Sequence, residues 1–141
     1  MNESHVSQIA ELERLCFNDP WSANSIASEL DNRLSLWLVA IADEHVVGYV
    51  GSQTVLGETD MMNIAIHPDY RKHGIATELI SELIRELTNR GSHSLMLEVR
   101  ASNEPAKSLY IKMGFEAVGI RKNYYRNPRE DALILRKEWS L

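Results

Sequence analysis

The stretch NIAIHPDYRKHGIATELI, residues 63–80, decides the fold. Its apolar run Ile64-Ala65-Ile66 reads as the end of a strand. His67-Pro68-Asp69-Tyr70 turns the chain. A helical repeat follows to about residue 90, in which Ile75, Leu79, Ile80, Leu83, Ile84 and Leu87 form one apolar stripe. Gly91 supplies the stop. A strand that passes at once into a long amphipathic helix is a unit of a layered sheet-and-helix protein.

Working outward, SLMLEV (94–99) reads as the next strand. Asn103 is placed to cap a helix, Pro105 is tolerated in its first turn, and Gly114 ends it. FEAVGI (115–120) and DALILRKEW (131–139) read as two closing strands around a polar loop, RKNYYRNPRE (121–130). Upstream, SLWLVAIA (35–42) and VVGYVGSQ (46–53) form a hairpin about Asp43-Glu44-His45. LGETD (56–60) reads as a loop and MMNIAI (61–66) as the third strand. The first helix is SQIAELERLCF (7–17), with Ile9, Leu12 and Cys16 at helical spacing. NDPWS breaks it, and Ser22 caps a short second helix, ANSIASEL (23–30). The order α-α-β-β-β-α-β-α-β-β predicts an α/β (α+β-like) fold, with a mixed central sheet flanked by helices. No linker or repeat divides the chain, so a single domain over residues 1–141 is expected.

Composition narrows the function. Of 141 residues, 44% are hydrophobic and 25% charged, as in a globular protein. Asp plus Glu number 20 against 15 Lys plus Arg, a net charge of −5. That balance argues against direct nucleic-acid binding, which needs clustered basic charge, and favours a cationic partner or a small ligand held locally. The one cysteine, Cys16, sits among apolar residues and reads as a small buried hydrophobe. It allows no internal disulfide, which fits a reducing compartment. No apolar run reaches the ~18 residues of a membrane span, and MNESHVSQ at the start has no signal core. A cytoplasmic location without membrane contact is therefore expected. No metal site is expected.

The head of the central helix carries chemistry. The first N–H groups of a helix lack internal partners and mark the positive end of its dipole. A phosphate can settle there, the more so where small residues let it approach the backbone. Gly74 and Ala76 are such residues, and Arg71, Lys72 and His73 add cationic side chains. An ordinary strand-turn-helix link with solvated basic residues would look the same. The stretch has neither the Gly-Lys-Ser/Thr run of a P-loop nor a G-x-G-x-x-G fingerprint.

Arg71-x-x-Gly74-x-Ala76, between that strand and the helix, resembles the acyl-CoA pyrophosphate loop of the GNAT N-acetyltransferases. NDPWS, LEVRASN, A-x-x-LY-x-x-x-GF, RKNYY and REDALIL, in that order, resemble the ribosomal-protein alanine N-acetyltransferases (RimI type). The likeness runs from about residue 9 to residue 135. It implies the GNAT acyl-CoA N-acyltransferase fold, acetyl-CoA as co-substrate, and the N-terminus of a basic ribosomal protein as peptide substrate. It also implies that Ile64, Ala65 and Ile66 pair with the pantetheine arm, and that the loop Arg71, Lys72, His73, Gly74, Ile75, Ala76 and Thr77 holds the phosphates. Asn103 matches a cofactor contact. Glu98 matches the general base and Tyr110 the general acid. Relatives open with a short strand before the first helix; only eight residues precede Ile9 here, so that strand is expected to be short or missing.

The residues themselves leave other readings open. Glu98 on a strand reads equally as a solvated charge, Tyr110 as a core aromatic, and Asn103 as a helix cap. Glu58, Asp60 and Glu130 are either surface charges or attractors of a basic peptide. Asn123, Tyr124 and Tyr125 either border the peptide groove, as the resemblance implies, or pack a loop. A lysine side chain, a polyamine or another small amine is the alternative acceptor, and a non-catalytic CoA-binding module is the alternative of another class.

Overall fold

A computed structural model describes residues 1–140. Its elements run α1 (Val6–Cys16), α2 (Ala23–Ser28), β1 (Ser35–Ala42), β2 (His45–Val55), β3 (Glu58–Ile66), α3 (Ile75–Asn89), β4 (Ser94–Arg100), α4 (Glu104–Lys112), β5 (Glu116–Tyr125) and β6 (Glu130–Glu138). The strands form one sheet in the order β1-β2-β3-β4-β6-β5. All pairs are antiparallel except β3 with β4. This is the mixed sheet the element order predicts. Short 3-10 turns stand at Glu3–His5, Glu29–Asp31 and Pro68–Tyr70. The first occupies the place where relatives were expected to carry a strand.

Period-two alternation sorts each strand between two cores. Leu95, Leu97 and Val99 of β4 face α3 and α4, packing with Leu79, Ile80, Leu83, Tyr110 and Phe115. On the other face, Ile9 and Leu12 of α1 pack against Trp37, Tyr49 and Ala65. Trp37 stacks on Tyr49 with ring centroids 5.5 Å apart. Gly51 makes room for that tryptophan: a Cβ there would lie 2.5 Å from its ring.

Two irregularities open the sheet. Gly51 pairs with Asn63 and Ser52 with Met61, so Met62 is an extra residue, a β-bulge in β3. The parallel ladder between β3 and β4 runs only from Glu58↔Ser94 to Asp60↔Met96. Beyond it the bulged β3 bends away from β4, and a slot opens between them.

Two sequence expectations need correction. Glu58, Thr59 and Asp60 are strand, not loop, because Thr59 and Met61 alternate into the core while Glu58 and Asp60 face outward. Arg121 to Tyr125 also belong to a strand, β5, so only residues 126–129 form the last turn. β5 is exposed along nearly its whole length, so no apolar pattern marked it. Pairing with β6 holds it.

Candidate active site

The loop before α3 leaves its backbone open. Gly74 caps α3 at φ 80°, a conformation that glycine adopts without strain. A Cβ there would meet nothing within 4 Å, so the backbone faces open space. That space is a cavity of about 270 Å³ lined by Ile66, Arg71, Lys72, Gly74, Ile75, Ala76 and Thr77, and also by Tyr70, Pro105 and Leu109. The last two bring α4 into the site and carry no sequence signal of their own. The unpartnered N–H groups of the first turn of α3 and the Lys72 ammonium suit a pyrophosphate.

The strand beside the cavity divides its backbone by alternation. The His67 N–H donates to the Val47 carbonyl, so alternate residues of β3 turn both polar groups toward β2. Ala65, opposite Tyr49, is one of them, and its side chain is buried against α1. Ile64 and Ile66 therefore present their backbone groups to the slot, and Ala65 does not. Arg71 stays exposed but folds back on the sheet: its Nε donates to the Ile66 carbonyl at 3.1 Å, and its Nη2 lies 3.5 Å from the Cys16 Sγ. It ties the loop to β3 and α1. His73 is exposed and does not line the cavity. Asn103 caps α4, its Oδ1 accepting the Ala106 N–H at 3.2 Å.

Glu98 stands where β4 has left β3. It shares a face with Met96 and Arg100, opposite the core-facing Leu97 and Val99. Its side chain is 20% exposed and pairs with Arg121 of β5, Nε to Oε1, at 3.1 Å. Tyr110 is buried on α4, edge-on to Phe115. Burial first, and the neighbouring Tyr125 second, push the Tyr110 phenol well above its ordinary range. Tyr125 joins the two residues. Its phenol is pushed up to about 12, by burial first and then by the charges of Tyr124 and Glu98. It thus lies within electrostatic range of both Glu98 and Tyr110.

The wall beside Glu98 is tied together by Arg100. Its guanidinium donates to the carbonyls of Pro128 and Arg126 and to Glu130, and lies 4.4 Å over the Tyr125 ring. Asn127, at the tip of that turn, meets Asn18 and Asp19 of the α1–α2 loop. The two loops therefore touch over the face that bears Glu98. Of the three carboxylates singled out from the sequence, Glu130 is engaged by Arg100 and the Ser102 N–H, and Glu58 by Arg136. Asp60 stays close to Arg121, and burial raises its carboxyl above the usual range.

A sequence model of the acetyltransferase (GNAT) family matches residues 6–115. The chain belongs to the GNAT acetyltransferases. This acetyltransferase is 41% identical over 118 residues to the ribosomal protein bS18-alanine N-acetyltransferase of Escherichia coli K12, covering 82% of the chain and 79% of the relative. It is 39% identical to the enzyme of that name from Haemophilus influenzae, over 91% of the chain and 88% of the relative. The crystal structure of the E. coli ribosomal-protein-S18-alanine N-acetyltransferase superposes with a TM-score of 0.91 at 34% identity, covering 100% of the chain and 92% of its own. Ard1 from Thermoplasma volcanium, at 18% identity and a TM-score of 0.92, shares the fold. Acetyl-CoA is the acyl donor of the family, and the cradle at Gly74 fits it. Among the described residues no helix is long and apolar enough to cross a membrane.

Proposed function

We propose that this acetyltransferase transfers the acetyl group of acetyl-CoA to the N-terminal α-amine of a basic ribosomal protein that begins with alanine, in the cytoplasm. The observation that carries the reading is the position of Glu98, on the open face where β3 and β4 part, in a chain 41% identical to an enzyme named for that reaction. When bound, acetyl-CoA supplies a thioester, an acyl group already activated by a leaving thiolate. Gly74 to Thr77 hold the phosphates through backbone N–H groups. The Ile64 carbonyl and the Ile66 N–H, the backbone groups not taken by Asn63 and Arg71, offer the strand edge to the pantetheine arm. Glu98, through a water, takes the proton the ammonium must lose before it attacks. The new bond is N–C and the broken one C–S. The Tyr110 hydroxyl, the proposed general acid, donates a hydrogen bond to the departing sulfur, and the second proton of the attacking nitrogen ends on the thiolate as the amide forms.

The acceptor sets how strong a base is needed. An α-amine ordinarily titrates near ~8 and a lysine near ~10.4, a difference of about 3 kcal/mol in deprotonation work. A carboxylate acting through water suits the α-amine better.

A panel of basic peptides, differing only at residue one and including one with a blocked N-terminus, tests the proposal by mass spectrometry. Acetyl on the α-amine of the alanine peptide, lost on blocking, is expected. Acetyl on a lysine side chain or a small amine would replace the proposed acceptor. Glu98→Gln should lower kcat at pH 7 by about 100-fold or more, in the range of general-base catalysis. An unchanged rate would remove Glu98 from the mechanism.

A further inference from the structure

Among the described residues Glu13 is the one charged residue buried to 0% exposure. It lies on α1, away from the reacting groups assigned above. Three donors from three different segments converge on its carboxylate. The Tyr49 hydroxyl, from β2, and Asn63 Nδ2, from β3, at 2.8 Å, both donate to Oε1. The Trp21 N–H, from the α1–α2 loop, donates to Oε2 at 3.4 Å. No cation pairs with it among the described residues. A carboxylate buried at such cost needs every one of those bonds.

Two of the three bonds lead to part of the site. Asn63 follows the Met62 bulge, and its Oδ1 accepts the Ile64 N–H at 3.0 Å. Ile64 is the first residue past the bulge whose N–H points into the slot. Unpartnered, that N–H would be drawn to β4, extending the ladder that stops at Asp60↔Met96 and closing the slot. Glu13 holds the other end of the Asn63 amide and so fixes its rotamer. Trp21 belongs to the loop whose Asn18 and Asp19 meet Asn127, in the turn held by Arg100 two residues along β4 from Glu98.

We propose that Glu13 is a positioning residue for acetyl transfer: through Asn63 it keeps β3 and β4 apart for the cofactor, and through the Trp21 N–H it holds the acceptor-side loop in place. The acceptor half of this rests on the peptide reading above.

Two substitutions cut the two connections separately. In Glu13→Gln, Oε1 keeps Tyr49 and Asn63 while the new –NH2 faces the Trp21 N–H. The acceptor KM should rise about fivefold, as for one lost hydrogen bond, with acetyl-CoA affinity unchanged by calorimetry. Exchange of the Trp21 amide should accelerate at the same time. Asn63→Ala should show the reverse, acetyl-CoA affinity falling about fivefold with acceptor KM unmoved. Wild-type constants in both variants, measured well below a lowered Tm, would reduce Glu13 to a core residue and overturn the proposal. Equal losses in both constants for both variants would overturn it too.

If Glu13→Gln does not fold, Tyr49→Phe keeps the ring on Trp37 and withdraws one donor. Both constants should then rise about twofold, and unchanged constants overturn the proposal. If the wild type acetylates no peptide of the panel, the acceptor reading fails. Acetyl-CoA calorimetry on Asn63→Ala and Trp21 amide exchange in Glu13→Gln then decide the proposal by themselves.

Discussion

Tyr110 is a core residue to which the proposed mechanism also gives a chemical duty. Its ring fills the core between α4 and Phe115. Its hydroxyl takes no hydrogen-bond partner among the described residues, and its pKa is driven upward. The phenol therefore stays protonated across any working pH and can donate a hydrogen bond. Full proton transfer to a thiolate, whose thiol ordinarily titrates near ~8.5, is uphill from so weak an acid. In the proposed mechanism the departing sulfur therefore gains mostly from the hydrogen bond. Tyr110→Phe should lower kcat by about tenfold, the value of one hydrogen bond to a charged group, and leave acetyl-CoA binding unchanged. A kcat equal to wild type in steady-state assays would make Tyr110 a wall only. Residue chemistry was partly legible in the sequence. Glu98 could be put on the outer face of β4 by alternation alone, since it sits between Leu97 and Val99. Its partner Arg121 could not, because 23 residues and a helix separate them. The burial of Glu13 was equally hidden: on α1 it reads as a charge beside the apolar stripe, and the two side chains that accommodate it come from strands.

At the scale of elements, the junction of β3 and α3 is the best-specified part of the chain. The turn, the glycine at φ 80° and the amphipathic repeat agree with one another. Gly74→Ala separates backbone strain from crowding. The new Cβ has free space, so the fold should lose only about 1 kcal/mol from the left-handed conformation. That is a fall in Tm of about 4 °C. Gly74 lines the cavity proposed for the phosphates, so the KM for acetyl-CoA should rise severalfold while the acceptor KM holds. A large loss of Tm with normal acetyl-CoA binding would contradict the cradle. β5 is the opposite case. Its residues are exposed, its register slips twice against β6, and Arg121 to Tyr125 look like loop chemistry. Ladder pairing with β6, which leaves little mark on sequence, makes it a strand.

Across the whole molecule, the net charge of −5 and the carboxylates near the slot favour a basic acceptor. The kcat/KM for a basic peptide should fall severalfold between about 0.05 M and about 0.5 M salt, while that for a neutral peptide with the same N-terminus stays level. Parallel salt curves for the two peptides would rule out long-range attraction. Periodicity, caps and turns by themselves determined the element order, the two-faced sheet and the glycine turn at the head of α3, because each depends on residues a few positions apart. Only the tertiary structure decided where β3 and β4 separate, which of Ile64, Ala65 and Ile66 face that slot, and that Arg71 braces the loop. It also decided that Arg121 pairs with Glu98, that Arg100 lies over Tyr125, and that Tyr49, Asn63 and Trp21 converge on Glu13. These depend on the Met62 bulge and on pairings across the sheet, where contact is set by register and packing and not by separation along the chain.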